Sequence, residues 1–364
     1  MAKPFPICGV NVYPGETREV ELPVSEIYTT AEVSIPVRIV RGWRDGPRVF
    51  VTAAVHGDEI NGTEVLRELM YDVNLQSMRG TLVCVPVVNL FGFLNHSRYL
   101  PDRRDLNRFF PGNPGGPLAS RIAHRVFSEI VRRCEYGIDL HTASARKVNL
   151  PHVRVAPSDR RASKLARAFG TEVVIHDEPR RGSLRAAAGE RGIIALTYEG
   201  GQPLRFERPV VERGLTGILN VLSALGMIER QRIPPLFQIV ARRRTWVRAE
   251  RGGILDLRAR PGDLLAKDQE IGVTTNPFGR ERHTLQAPFA GLVIGATTLP
   301  SVNPGDAVVH VVKLTRSRQR IETLLAGRNL LDIHRSQRDS AAAAAKAESA
   351  EAPKPVRARA RRKR

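Results

Sequence analysis

The sequence predicts an α/β protein built on a layered sheet, followed by a small all-β region and a disordered basic tail. Three observations predict it. Unbroken apolar runs, suited to strands covered on both faces, alternate with segments of helical spacing. The texture changes near Pro234-Pro235, after which short β-like runs and turn signals such as RPGD, NPFG and NPGD replace helical periodicity. The last stretch, residues 335–364, is Ala-rich and basic and contains almost nothing large and apolar. A chain of 364 residues, 42% hydrophobic, is long enough for more than one folded unit, since domains run to roughly 100–200 residues. The expected division is residues 1–234, 235–315, a short helical extension 316–334, and the tail 335–364.

The elements follow in order. VSIPVRIV (33–40) alternates, and VFVTAAV ends at Val55 as a buried strand. Gly62–Leu69 places Val65, Leu66 and Leu69 on one helical side. TLVCVPVVN reads as strand, residues 95–117 as a polar loop, and Leu118–Val131 as helix. YGIDL and VNLPHVRVA are strand-like, Ser163–Phe169 helical, TEVVI and IIALTYE strand-like, and 209–228 helical. Strands alternating with helices argue for an α/β sheet.

Composition excludes several classes. Lys+Arg number 57 against 37 Asp+Glu, a net charge of +20, which invites a nucleic-acid reading. The tail alone holds ten Lys/Arg and three acids, however, so +7 belongs to a segment that cannot bury enough surface to offset its ordering entropy. Aromatic residues are only 5% of the chain, and no stacking pattern accompanies the charge. Nucleic acid is therefore expected only as a weak contact of the tail. Cys8, Cys84 and Cys134 are too few and too widely spaced for a disulfide framework or a cysteine-rich zinc site. No apolar stretch approaches ~18 residues and MAKPFPICGV lacks a signal-like core, so a soluble cytoplasmic protein without a membrane partner is expected.

The chemistry concentrates at strand ends. His56-Gly57-Asp58-Glu59 directly follows VFVTAAV, and ligand sites of open α/β sheets lie outside the carboxyl ends of the strands. His56 and Glu59 can ligate zinc through imidazole nitrogen and carboxylate oxygen. His141 ends YGIDL and Glu199 ends IIALTY, so three strands each deliver an ionisable residue. Two His and one Glu match an open catalytic zinc set, with Glu199 left over as general base for water and Asp139 as a partner of His141. The plainer alternative is a satisfied core histidine at 141 and a solvated loop acid at 199. Asp105-Leu106-Asn107-Arg108 follows Arg98, Arg103 and Arg104. A guanidinium there could fork onto a substrate carboxylate, or the loop could simply be solvated.

HGDE, RDLNRFFPG, DLHTA and YEGG occur in the order and rough spacing of the succinylglutamate desuccinylase/aspartoacylase family, which is similar to the zinc carboxypeptidases. The chain resembles that family over about residues 45–225. The resemblance implies a mixed central sheet with helices on both faces. It implies one Zn2+ per subunit on His56, Glu59 and His141, with Glu199 as catalytic general base. It further implies Arg98 polarising the scissile carbonyl and Asn107 and Arg108 holding the substrate carboxylate, with Arg185 a candidate for a further carboxylate contact. The activity implied is hydrolysis of the amide of a small N-acylated carboxylate.

The region after residue 236 also resembles that family's second domain, and a biotinyl/lipoyl-like barrel-sandwich. Its turn TNPFGRERH carries no lysine, so a carrier role is not expected. It would instead cap the crevice or mediate homo-oligomerisation. Two other readings stand beside the deacylase: a metallocarboxypeptidase-like peptide hydrolase, and a basic nucleic-acid-binding protein on a degenerate hydrolase fold.

Overall fold

In the computed structural model, which describes residues 3–26, 30–71, 73, 75, 77–314 and 318–334, the chain starts with a hairpin, β1 (Phe5–Ile7) and β2 (Val10–Val12). β3 (Thr17–Glu26) and β4 (Glu32–Arg41) then pair antiparallel, and β5 (Arg44–Ala53), α1 (Asn61–Tyr71) and β6 (Arg79–Val85) form a parallel crossover. After α2 (Leu90–Leu94) and α3 (Leu118–Glu129) come β7 (Tyr136–His141), β8 (Lys147–Val155), α4 (Arg160–Phe169) and β9 (Val173–His176). α5 (Leu184–Glu190), β10 (Ile194–Gly201) and α6 (Arg208–Ala224) follow.

The sheet runs β3-β4-β6-β5-β7-β10-β8, with β9 beside β8. β6, β5, β7 and β10 are mutually parallel, whereas β8 lies antiparallel to β10 and β4 antiparallel to β6. This is a large mixed sheet. The period-2 pleat sends Val49, Val51 and Ala53 to one face and Phe50 to the other. On the first face lie Leu66 and Leu69 of α1, Phe169 of α4 and Ile218 and Leu222 of α6. On the second lie Ile122, Val126 and Phe127 of α3 and Leu184 of α5. Each fully buried Leu or Phe is worth about 1.5–3 kcal/mol, against tenths for helix propensity, so packing on the sheet sets these helices.

Boundaries depart from the sequence expectations for local reasons. α4 starts before Ser163 because the Asp159 carboxylate accepts from the Arg161 and Ala162 amides, and it ends at Gly170 with φ 92°. β6 stops at Val85, before Pro86, and Val87-Val88-Asn89 leads into α2, where Asn89 caps the helix by accepting from the Gly92 amide at 2.8 Å. α6 stops at Ala224 rather than 228, with the turn passing through Gly226 at φ 69°. α5 was not anticipated, although Ser183 capping the Ala186 amide marks its start.

After Pro235 the described chain to Lys313 holds strands and loops only. β11 (Ile239–Ala241) pairs with β9, and β12 (Arg244–Arg248) is an edge strand. β13 (Gly253–Leu257), β14 (Leu264–Leu265), β15 (Glu270–Thr275), β16 (Arg282–Gln286), β17 (Gly291–Thr297), β18 (Ser301–Val302) and β19 (Ala307–Lys313) complete it. β16-β15-β13-β18 form their own sheet. β17, however, pairs with β8, and β19 and β12 continue outward from it, so this region is hydrogen-bonded into the central sheet. α7 (Arg318–Leu325) lies in the predicted helical extension and buries Ile321 and Leu325 against Ile294 and Val312. The disorder expected for 335–364 falls outside the described residues. Among the described residues, no helix is long and apolar enough to cross a membrane.

Candidate metal centre and cleft

Register brings the strand ends together. Ala53 of β5 pairs with Leu140, and Glu199 of β10 pairs with His141, so the three chains leave the sheet side by side. Past β5 the chain turns at Ala54, whose φ is 49°, and the Glu59 amide donates to the His56 carbonyl at 3.1 Å. His56 Nδ1 is 2.8 Å from Glu59 Oε1, and His141 Nδ1 is 2.8 Å from Glu59 Oε2. The two Nδ1 atoms lie 3.2 Å apart. One ligand atom from each residue falls within a sphere of contacts no wider than 4.8 Å, and all three residues are buried.

The donor set fits a divalent metal. His141 Nε2 faces Asp139 Oδ2 at 2.8 Å, and His56 Nε2 faces Asp105 Oδ1 at 3.2 Å. Each outer nitrogen thus donates to a carboxylate, which leaves each Nδ1 offering a lone pair. Two lone pairs facing each other beside a carboxylate repel unless a cation lies between them. Asp139 is itself held by the Thr52 hydroxyl at 2.8 Å, and the Thr142 amide donates to Glu59 Oε2 at 3.0 Å. Burial pushes the Glu59 carboxyl up, but His56 and His141 outweigh it and hold it well below the usual carboxylate range. Burial opposes a charge on His141, yet Asp139 and Glu59 together favour a positive charge there, which a proton on Nδ1 supplies wherever no cation takes that place.

Gly57 makes this turn possible. A Cβ there would stand 2.0 Å from the Gly92 carbonyl carbon and 2.1 Å from the Phe93 nitrogen, both backbone atoms of α2. Gly57→Ala is expected to cost about 1–3 kcal/mol of stability and to lower bound metal, as read by thermal unfolding and metal stoichiometry. Full stability and full metal content in that variant would remove the steric argument.

A cleft of about 840 Å³ opens over this group, and every sequence-predicted site residue lines it: His56, Glu59, Arg98, Asn107, Arg108, His141, Arg185 and Glu199. Their present contacts differ. Arg98 donates to Glu59 Oε1 at 2.9 Å and to Asp105 Oδ2 at 3.1 Å, directly at the His/Glu group. Asn107 accepts from the Leu184 amide at 2.8 Å, and Arg108 lies 3.6 Å from Asp105. Arg185 donates to Asp177 Oδ1 at 2.9 Å. Glu199 accepts from Asn149 at 3.1 Å and from Arg154 at 3.3 Å.

Sequence reasoning missed several members. Asp105 was read only as part of a loop, yet it accepts from His56 and Arg98 and, through Oδ1, from the Asn107 amide at 2.9 Å. Asp177 directly follows β9, so the same strand-end rule could have found it. Arg154, Asn149 and Lys147 on β8 carried no local signal. The β12 residues Arg244, Trp246 and Arg248, and the turn at Gly305–Asp306, wall the same cleft from the C-terminal region. Trp246 stacks on His310 at 4.6 Å between centroids, and the Lys147 ammonium lies over the Trp246 ring, 5.2 Å from its centroid. Burial and the nearby His152, Arg244 and Arg154 push the His310 pKa down to about 3, so it stacks as a neutral ring.

Parallel strands of a mixed sheet thus deliver a His–Glu–His group that could hold a metal ion to a polar cleft. A family model described as the succinylglutamate desuccinylase/aspartoacylase catalytic domain matches residues 45–225. The chain belongs to the succinylglutamate desuccinylase/aspartoacylase family. The N-alpha-acetyl-L-2,4-diaminobutyric acid deacetylase of Halomonas elongata is 27% identical over 323 residues, covering 82% of this chain and 91% of the relative. A succinylglutamate desuccinylase of Burkholderia pseudomallei is 31% identical over 180 residues, 43% of this chain and 50% of its own. The solved succinylglutamate desuccinylase/aspartoacylase from Rhodobacter sphaeroides superposes with a TM-score of 0.75 at 26% identity, covering 82% of this chain and 96% of that one. The product-bound ectoine utilization protein EutE (DoeB) from Ruegeria pomeroyi shares the fold, with a TM-score of 0.74, 24% identity, and 82% and 95% coverage.

Proposed function

We propose that this chain is a zinc-dependent amidohydrolase that removes the acyl group from an N-acyl amino acid or a related small N-acylated carboxylate. The observation that carries the reading is the convergence of His56, Glu59 and His141 on one point in the floor of the cleft, with Glu199 on the adjacent strand. Similarity over 82% of this chain to a deacetylase of an N-acetylated amino acid supports it. His56 Nδ1, Glu59 and His141 Nδ1 would hold the ion. Zinc so bound lowers the pKa of a water toward ~7 and polarises a carbonyl oxygen.

The protein's own residues divide the remaining work. Glu199 takes the proton from the attacking water and returns it to the departing amine. Arg98, already beside Glu59, turns its guanidinium to the developing oxyanion. Asn107, Arg108 and Arg185 present donors to the substrate carboxylate. The β12 wall leaves room for a small substrate, and residues 235–315 serve as the unit that closes the cleft over residues 1–234.

A screen of N-acetyl and N-succinyl amino acids reading free amine tests this, run as purified, after chelation and after zinc is restored. Chelation is expected to abolish release and zinc to restore it, because His141 ends β7 and His56 and Glu59 lie on the short turn that follows β5. If no N-acyl amino acid gives metal-dependent release while peptide C-termini do, the deacylase reading yields to a peptide hydrolase.

A further inference from the structure

We infer that Asp177 is a positioning residue for the reaction: it fixes Arg154, and Arg154 together with Asn149 fixes the carboxylate plane of Glu199. The inference rests on the general-base role proposed for Glu199.

A carboxylate at the end of a glutamate rotates through a broad torsional well, so a single donor does not set its plane. Glu199 has two different donors, one per oxygen: Arg154 Nη1 on Oε1 at 3.3 Å and Asn149 Nδ2 on Oε2 at 3.1 Å. Both come from β8, but five residues apart, and on a regular strand they would face opposite sides. A register shift reconciles them. Between the Glu199–His152 and Gly201–Asn149 pairs, β10 advances two residues while β8 advances three, around Pro151. Bulges of this kind re-aim side chains beside functional sites, and here both donors are turned onto one acid.

Arg154 would not stay aimed by itself, since a long guanidinium side chain loses considerable rotamer freedom when fixed. Asp177 holds it from the other side. Arg154 Nε donates to Asp177 Oδ2 at 3.1 Å, Nη2 contacts the same oxygen, and Nη1 is left for Glu199. Asp177 is anchored in turn. Its amide donates to the Val155 carbonyl at 3.0 Å, Arg185 donates to Oδ1 at 2.9 Å, and Arg244 donates to Oδ2 at 3.0 Å. Arg244 belongs to β12, so the setting of the base reaches the C-terminal strands. One carboxylate between three guanidiniums also keeps them from repelling one another.

The competing role for these groups is direct substrate binding, and kinetics separates the two. Steady-state kinetics of full-length Asp177→Asn, Arg154→Met and the double variant, with bound metal measured, is the test. Each single variant is expected to keep its metal while kcat falls about 10–100-fold, the size of a small misplacement of a reacting group, with KM within about threefold in Arg154→Met, which leaves the Arg185–Asp177 pair in place. The double variant is expected to be no slower than Arg154→Met alone, because the two act as one unit. A raised KM at unchanged kcat, or effects that multiply, overturns the inference. Should Asp177→Asn fail to fold, Arg154→Lys carries the same test at a part-exposed position. A single ammonium cannot bridge Asp177 and Glu199 as the guanidinium does, so kcat should fall at constant KM, and an unchanged kcat sinks the idea. Wild-type turnover with an inactive Glu199→Gln control secures the underlying reading, so an unaffected Asp177→Asn then defeats this inference alone. Absent wild-type turnover defeats both.

Discussion

A His141→Ala variant is expected to bind no stoichiometric zinc and to release no amine from any N-acyl amino acid. His141 is buried, and its ring bridges Glu59 on one side and Asp139 on the other. Truncation removes one of three ligand atoms and also strands Asp139, a carboxylate buried to 1% exposure and left with the Thr52 hydroxyl. Breaking a buried charged pair by deleting one partner costs roughly 3–5 kcal/mol, so a lower unfolding temperature should accompany the metal loss. Asp139→Asn separates these effects. It keeps the volume and the ligand but weakens the hydrogen bond that orients the ring, and metal affinity should fall about 10–100-fold. Metal analysis, thermal unfolding and amine release on the same preparations provide the check. A His141→Ala protein that holds zinc and turns over normally would remove His141 from the centre.

Glu199→Gln is expected to keep its zinc and lose kcat by about 10²–10⁴-fold, the range a positioned general base contributes. The side-chain partners of Glu199 are Asn149 and Arg154, not His56, Glu59 or His141, so replacing it leaves the ligand cluster intact. Glutamine preserves shape and one acceptor oxygen but cannot take a proton. The diagnostic result is therefore full metal content with little turnover. Full activity in Glu199→Gln would require another base, and equal loss of metal and activity would mean that Glu199 supports the cluster rather than the chemistry.

The core of the site was legible because it obeys a local rule. VFVTAAV, YGIDL and IIALTY are each apolar strands followed or ended by an ionisable residue, and parallel pairing makes such ends coincide. The helices on both faces were legible for a related reason: the apolar spacing of α1, α3, α4 and α6 matches what the two sheet faces bury. α5 escaped because a seven-residue helix offers too few turns for a periodicity to stand out. α2 is shorter still, and its cap Asn89 sat at the end of a run that reads as strand.

Sequence by itself picked out His56, Glu59, His141 and Glu199 as the candidate group, each at or a few residues past the end of an apolar strand, and the structure brings them to one cleft. The tertiary structure decided what surrounds them. Asp105 reaches His56 across 49 residues, Arg154 meets Glu199 only because β8 pairs antiparallel with β10 through a bulge, and Arg244 reaches Asp177 across 67 residues once the C-terminal strands join the sheet through β17. The difference is physical. A strand's direction and pleat follow from short-range apolar patterning, whereas the partner of a long guanidinium is chosen by pairings distant in sequence and by the charges those pairings bring within reach.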